Sequence, residues 1–471
     1  MSDYNFLMES RLSAEQFQLV NQLSRIAAEQ RLNLYLVGGA VRDLTYGQQV
    51  IRDLDFAVEG NPEKVLRRLE SRRAAPARPD RAPIGGAETS RLRVESIHFD
   101  SRLNSGTIRC ASGTQAELVM CRQAVYTKDG RRAVVTPATI FDDLRRRDLS
   151  VNAMAISLHP NSRGLLLDPT NGAADIENRE LRALHSRSLS DDPSRIYRLF
   201  RLGLRLDFKP EERTQAWLEL ALQNRLCEQL DPAQQGCELH AILAEENPGR
   251  FLRMFASRNL LVGLDKKLAS ARFPYDRFNK IQSVVRTVPG ADPVLLNFHC
   301  LVQGLGSGDR MRLAKKVLAE KKVIKVALCL DRDARILARA LTGSKAGLPS
   351  RVYALLSSQP QILLLFLLAN YPQQKIQSRI KNYLIKAPQI RANLPRTELQ
   401  AMGVKPGPEL DRILERLFLE QLDGKVKTHL QALKRLKELA GIEPAPEKAK
   451  QTASKHHGTK KKQSDAKLSR R

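Results

Sequence analysis

Asp53 and Asp55 stand one residue apart in Ile51-Arg52-Asp53-Leu54-Asp55-Phe56-Ala57-Val58, about a dozen residues after Val37-Gly38-Gly39-Ala40-Val41-Arg42-Asp43. Residues i and i+2 of a strand share a side. A strand over residues 52–58 therefore aims both carboxylates one way and leaves Leu54 and Phe56 facing the other. Two carboxylates that close repel unless cations lie between them. Hard oxygen donors of this kind suit Mg²⁺, shared with substrate phosphates. Such sites stabilise attacking and leaving oxygens in phosphoryl or nucleotidyl transfer. The preceding strand, glycine pair and helix let bare backbone approach a triphosphate, and N–H groups at a helix start favour anions. Arg42 can add a charge-assisted bond to a phosphate oxygen. Alone, Gly38-Gly39 and Arg42-Asp43 read equally well as a tight turn with a local ion pair; the two following aspartates favour the phosphate reading.

A second constellation is Asp191-Asp192-Pro193-Ser194-Arg195-Ile196-Tyr197-Arg198-Leu199-Phe200-Arg201. Pro193 fits a helix start. Asp192, Arg195, Arg198 and Arg201 recur every three residues and drift slowly along one face. A carboxylate accepts from an exocyclic amine, and a guanidinium donates to a ring nitrogen. Cytosine offers N4–H₂ beside N3, and adenine N6–H₂ beside N1. Guanine and uracil present the reverse order and would leave buried charges unpaired. An Asp–Arg pair can therefore accept CTP and ATP and refuse GTP and UTP. The competing reading is an i,i+3 salt bridge on a solvated helix.

The elements that must position these groups are legible in outline. Ser13-Ala14-Glu15-Gln16 reads as a capping box opening a helix to about Glu29. Residues 34–37 read as a strand, 41–46 as a short helix, and Asn61-Pro62 as the start of another. Residues 71–90, rich in Arg, Ala, Pro and Gly, read as a mobile insertion. Strand-like runs return at 92–99, 106–110 and 116–121. After Asp168-Pro169-Thr170-Asn171-Gly172 the pattern turns helical, with breaks near Pro210, Pro248, Pro289 and Pro372. Pro406, Gly407 and Pro408 set a turn before a helix at 409–419. From about Pro444 the chain is Lys-rich and nearly free of large apolar residues, the composition of a flexible basic tail.

At 471 residues the chain is too long for one ordinary core. Its net charge of +27 points to a polyanionic partner, nucleic acid before membrane. The six cysteines are scattered, with no CxxC pair or Cys/His cluster, so zinc is not expected. Sparse thiols and a start without a signal-peptide pattern suggest a cytoplasmic protein. The longest apolar run, residues 362–369, is far too short to span a bilayer. No GxxxxGK[ST] loop appears. The eight histidines are dispersed, without a His-Asp pair in the helical half.

Residues 34–55, 143–156, 168–182 and 191–201 resemble the signature motifs of the class II tRNA nucleotidyltransferase and bacterial poly(A) polymerase family. Residues 402–408 and 422–424 look like that family's tail segment. The resemblance implies an α/β nucleotidyltransferase head (1–158, a mixed sheet with helices), followed by an all-α neck with a base-selecting helix (159–265), body and tail that bind RNA (266–443), and the basic tail (444–471). It implies that Gly38, Gly39 and Arg42 bind the nucleotide and that Asp53 and Asp55 hold Mg²⁺. Glu117, on a neighbouring strand, becomes a third metal-site acid or a base for the attacking 3′-hydroxyl, or else a strand-end partner of Arg122. In Arg146-Arg147-Asp148-Leu149-Ser150-Val151-Asn152-Ala153, Arg147 matches a nucleotide-binding arginine, with Asp148 and Asn152 placed to steady it and the nearby loop. Residues matching Asp192 and Arg195 read the base, and Arg198 and Arg201 suit phosphate or further nucleotide contacts. The chain departs from the family pattern at Asp191, usually Glu, at Ala124 within Arg122-Gln123-Ala124, and at Ile176. The implied partners are CTP, ATP and the 3′ end of tRNA or another RNA. A poly(A) polymerase, an enzyme adding only A or only C, and a non-catalytic RNA-binding relative are the alternatives.

Overall fold

The computed structural model describes residues 3–74, 92–111, 113–126, 133–288, 291–318 and 320–441. The chain opens with α1 (Tyr4–Arg11), capped by Asp3, whose carboxylate accepts from the N–H groups of Asn5 and Phe6. Ser13 and Gln16 form the expected reciprocal capping box of α2 (Ala14–Glu29). Leu19, Val20, Leu23, Ile26 and Ala27 recur at helical spacing on its buried face. There follow β1 (Asn33–Val37), α3 (Gly39–Tyr46), β2 (Leu54–Glu59) and α4 (Pro62–Ala74). Residues 71–74 of the expected insertion thus belong to α4, and the rest, 75–90, lies outside the described residues, as does the tail from 442.

The strands β3 (Val94–Asp100), β4 (Ser105–Cys110) and β5 (Gln115–Met120) fall within two residues of expectation. β6 (Arg122–Tyr126) and β7 (Ala133–Pro137) pair separately as a small antiparallel ribbon. After α5 (Ile140–Arg145) come β8 (Ala155–Ser157) and β9 (Leu166–Leu167). Among the described residues one seven-stranded sheet runs β3-β4-β5-β2-β1-β8-β9. It is mixed: β2 and β5 are parallel, and the other neighbours are antiparallel. Leu34, Leu36, Leu54, Phe56, Val58 and Leu118 are fully withdrawn from solvent. Each such side chain contributes about 1.5–3 kcal/mol of burial.

The remainder is mostly helical. It begins with α6 (Gly172–Asn178), β10 (Glu180–Leu181), α7 (Ser188–Asp191), α8 (Ser194–Leu206), β11 (Lys209–Pro210), α9 (Glu212–Gln223) and α10 (Pro232–Leu243). β10 and β11 form a two-residue parallel bridge inside a stretch that reads as purely helical, too short to carry a period-2 signal. Further helices run to His429–Leu439. No single described helix is long and apolar enough to cross a membrane. Residues 362–369 belong to helix Gln361–Asn370, whose Leu363–Leu368 stretch is buried.

The described residues divide into two compact units, those within 3–338 together with 360–372, and those within 339–359 together with 373–441. The second has its own core of Leu399, Leu410, Leu414, Leu417 and Leu436. There Asp423 accepts hydrogen bonds from the Ser350 N–H (2.8 Å) and Oγ (2.9 Å). Pro408 sits in the first turn of helix Pro408–Leu422, beginning one residue before the expected span.

Candidate active site

Strand register brings the acidic residues to one place. Val37, the last residue of β1, lies opposite Asp55 of β2 on one side and Ala155 of β8 on the other. Asp55 in turn lies beside Glu117 across the parallel β2–β5 pair. β2 starts at Leu54, two residues later than expected, so Asp53 sits on the approach to the strand and is exposed, whereas Asp55 is half-buried. Leu54 and Phe56 are fully buried, as the alternation requires.

Gly38 follows β1 and adopts φ +70°, a conformation that side chains disfavour. A Cβ there would stand 3.2 Å from both Arg147 Nη1 and Asp55 Oδ2. The turn thus presses bare backbone against the acidic and basic groups together.

A cleft of about 530 Å³ is lined by Gly38, Gly39, Arg42, Asp53, Asp55, Arg147, Asp148, Asn152, Asp192, Arg195, Arg198 and Arg201. Every residue singled out in the sequence except Glu117 is on that wall. Glu117 is exposed beside Asp55 on the sheet and is absent from the cleft lining. Asp43, Arg52, Arg122, Arg146 and Arg205 also line it. Arginines outnumber aspartates there, which suits a polyphosphate.

The charges divide into satisfied and unsatisfied sets. Burial, helped by Glu117 and Asp53, pushes the Asp55 carboxyl up to about 6, against the opposing pull of Arg147 and Arg42. Those two arginines are turned elsewhere. Arg42 donates from Nε to Asp43 Oδ1 (2.8 Å) and from Nη1 to Asn152 Oδ1 (2.6 Å). Arg147 donates from Nε and Nη2 to Asp143 Oδ2 (3.2 and 3.0 Å). Among the described residues no group of three or more His, Cys, Asp or Glu side chains gathers as a complete metal cage. Two hard carboxylates on neighbouring positions of one cleft wall fit a divalent ion that completes its shell with phosphate oxygens and water.

Asp143 is a brace that the sequence did not single out. It is wholly buried, and besides Arg147 it accepts from Arg146 Nη2 (2.6 Å) and Nε (3.1 Å). Asp148 and Asn152 bond within the nearby loop as expected, but the expectation that Asp148 steadies Arg147 needs correction. Only the Asn152 carbonyl touches Arg147 (3.4 Å), because Asp143 already lies one helical turn before it. Asp148 instead accepts from Arg198 Nη1 (2.9 Å), the Leu149 N–H (2.8 Å) and Asn152 Nδ2 (3.3 Å). Burial works against the Asp148 anion, but Arg198 and these bonds outweigh it and hold its pKa below the ordinary value.

Asp192 lies between α7 and α8 in extended conformation, just before the start of α8. Its Oδ1 accepts from Ser194 N–H (3.1 Å), Ser194 Oγ (2.6 Å) and Gln234 Nε2 (3.0 Å). Its Oδ2 stands 3.8 Å from Arg195 Nε. Arg195 is fixed by Ser188 Oγ (2.7 Å) and the Arg146 carbonyl (3.3 Å). Arg201 is on the cleft wall, yet its guanidinium is flanked by Glu238 (3.5 Å) and Glu245 (3.4 Å). Burial lowers the Arg201 pKa and raises that of Glu238. Gln234 belongs locally only to the helix cap with Asp231, and Glu238 and Glu245 to no motif, so only the fold reveals their contacts with Asp192 and Arg201. Arg146 was signalled by the run Arg145-Arg146-Arg147.

Residues 34–182 match the family model described as the poly A polymerase head domain. An A-adding tRNA nucleotidyltransferase of Halalkalibacterium halodurans is 34% identical over 245 residues, covering 51% of this chain and 52% of that protein. A CC-adding tRNA nucleotidyltransferase of Deinococcus radiodurans is 28% identical over 428 residues, covering 90% of this chain and 94% of the relative. The chain thus spans about half the length of the first relative and nearly all of the second. A solved CCA-adding enzyme in an apo form aligns over 93% of this chain and 99% of its own, with 24% identity and a TM-score of 0.48.

Proposed function

We propose that this chain, a member of the class II tRNA nucleotidyltransferase and poly(A) polymerase family, adds C and A nucleotides from CTP and ATP to the 3′ end of tRNA without a template. The observation that carries the reading is the shared cleft. The acidic pair, the glycine turn and the Asp192–Arg195 pair all line one cavity.

Arg42 and Arg147 take the triphosphate, with the backbone at Gly38 and Gly39 close against it. Asp192 accepts the exocyclic amine, and Arg195 donates to the neighbouring ring nitrogen. The 3′-hydroxyl then attacks the α-phosphate, and pyrophosphate leaves. Asp53 and Asp55 would hold magnesium, which supplies charge neutralisation at the attacking and leaving oxygens. The protein's own contribution is orientation and fixed charge. Glu117, one strand away from Asp55, tunes the acidic pair from outside the cleft. The basic helical remainder offers an RNA duplex contact by shape and phosphates.

The test is incorporation of each nucleotide, alone and in mixtures, into tRNAs ending before, within and just short of CCA. Short additions of C and A with rejection of GTP and UTP are expected. Equal use of all four nucleotides would overturn the base-reading assignment. The poly A polymerase description of the matching head domain favours one second reading, polyadenylation. Long A tracts on an unrelated RNA would select it.

A further inference from the structure

Asp192 can read a base only if one of its oxygens is held and the other is free. The structure shows such a division. Oδ1 takes three hydrogen bonds, from Ser194 N–H, Ser194 Oγ and Gln234 Nε2. Oδ2 has the Arg195 guanidinium 3.8 Å away, beyond hydrogen-bond reach, and Asp192 lines the cleft.

The third donor, Gln234, comes from α10, a separate helix, and has a second task. Gln234 is the N3 residue of the capping box that starts α10. Its Oε1 accepts from the Asp231 N–H (3.1 Å), and its own N–H donates to Asp231 Oδ1 (2.8 Å). A backbone N–H can only donate, so the amide oxygen must face Asp231 and the amide nitrogen must face Asp192. The cap therefore fixes the orientation of the strut. Gln and Glu serve a capping box equally well. Only Gln carries a donor for Asp192; a Glu would set one carboxylate against another.

We infer that Gln234 is a positioning residue for nucleotide selection, a strut that saturates Asp192 Oδ1 and leaves Oδ2 as the one acceptor for the exocyclic amine of C or A. This rests on the function proposed above and adds a specificity determinant that lies outside the nucleotide-binding motifs read in the sequence. One turn further along α10, Glu238 stands against Arg201, so the same helix face backs the base-reading segment at two points.

The test is Gln234→Glu, which keeps the cap and removes the donor. With full-length protein and a tRNA lacking CCA, kcat/KM is measured for all four nucleotides. The variant should lose about tenfold or more in its CTP-over-UTP and ATP-over-GTP ratios at pH 8, the scale of a lost hydrogen-bond partner. The loss should appear first in KM. A melting temperature equal to the parent's shows that the cap survives. At pH 6 selectivity should partly return, because a protonated Glu can again donate to Asp192. The charged groups around that carboxyl are Asp192, Arg195 and Arg198 on the facing segment, Asp231 and Glu238 on its own helix, and Lys316, which holds the adjacent Gln235. Gln234→Leu should lose selectivity without acid rescue, and it serves as the second test should the Glu variant not fold. Parent-like ratios in a folded Gln234 variant, or equal acid response in both variants, would overturn the strut. A parent protein that incorporates no nucleotide overturns the underlying reading instead. The affinities of the same variants for CTP and UTP, measured by calorimetry, then judge the strut independently.

Discussion

The two ends of the cleft are built on opposite principles. Around Asp53 and Asp55 the acids are left short of cations, since the arginines whose charge Asp55 feels are turned to Asp43, Asn152 and Asp143. Around Asp192 nearly every polar atom has a protein partner, through Ser188, Ser194, Gln234 and the Arg146 carbonyl. The first end has charge to spare for groups arriving with the substrate. The second has its geometry fixed beforehand, which would serve the discrimination between similar bases proposed for it.

The contrast is broken most severely at the acidic end. Asp53→Ala or Asp55→Ala should reduce nucleotide incorporation by about 1,000-fold or more, the scale of lost electrostatic stabilisation at a reacting centre. RNA binding by filter retention should stay near the parent's. At the other end, Asp192→Ala should cost about 100-fold in CTP-over-UTP preference, because a polar mismatch is no longer penalised. Overall incorporation of UTP should then rise in competition assays. Between the two, Asp143→Asn weakens the shared anchor of Arg146 and Arg147. An increase of about tenfold in nucleotide KM is expected, with a fall in melting temperature, since a buried charge pair is disturbed.

A smaller effect sharpens the comparison by its sign. The raised Asp55 pKa means that folding disfavours its anion. That cost is absent below about pH 4 and complete above about pH 6. Asp55→Asn should therefore stabilise the metal-free protein by about 1–3 kcal/mol at pH 8, read as a higher melting temperature, with the gain vanishing as pH falls through that window. Asp192→Asn should bring no such gain, because the Asp192 anion is already hydrogen-bonded. The least change is expected from Glu117→Gln, which relieves one of the charges acting on Asp55. It should move the Asp55 window to lower pH and alter kcat by less than about 100-fold, the lower bound for a working general base.

The sequence made local chemistry legible and left distant support hidden. The Asp53–Asp55 spacing, the Gly38 turn and the Asp192–Arg195 offset are each contained within a few residues, and short-range geometry determines what they present. The Ser13 cap and the proline at 62 were readable for the same reason. Gln234 and Glu238 act on Asp192 and Arg201 through tertiary contacts that their own neighbourhoods do not mark, whereas Asp143 holds Arg146 and Arg147 within its own helical turn. The misjudged partner of Asp148 shows the limit well. Both Arg147 and Arg198 are available by composition, and only the packing of α8 against the sheet domain's last turns decides between them. β8 and β10 were missed because strands of two or three residues offer too few positions for alternation to register.

The parallel pairing of β2 and β5 has a consequence for how the chain reaches its working form. Hairpins such as β3–β4 and β4–β5 close locally, whereas Asp55 meets Glu117 only after more than fifty intervening residues have looped back. Non-local closure of that kind is slow. The closeness of the two acids therefore depends on a long-range pairing and not on a local turn. Lengthening that excursion adds only slowly to its entropy. Evolution is free to vary the span between the two strands while leaving the register beneath the reaction untouched.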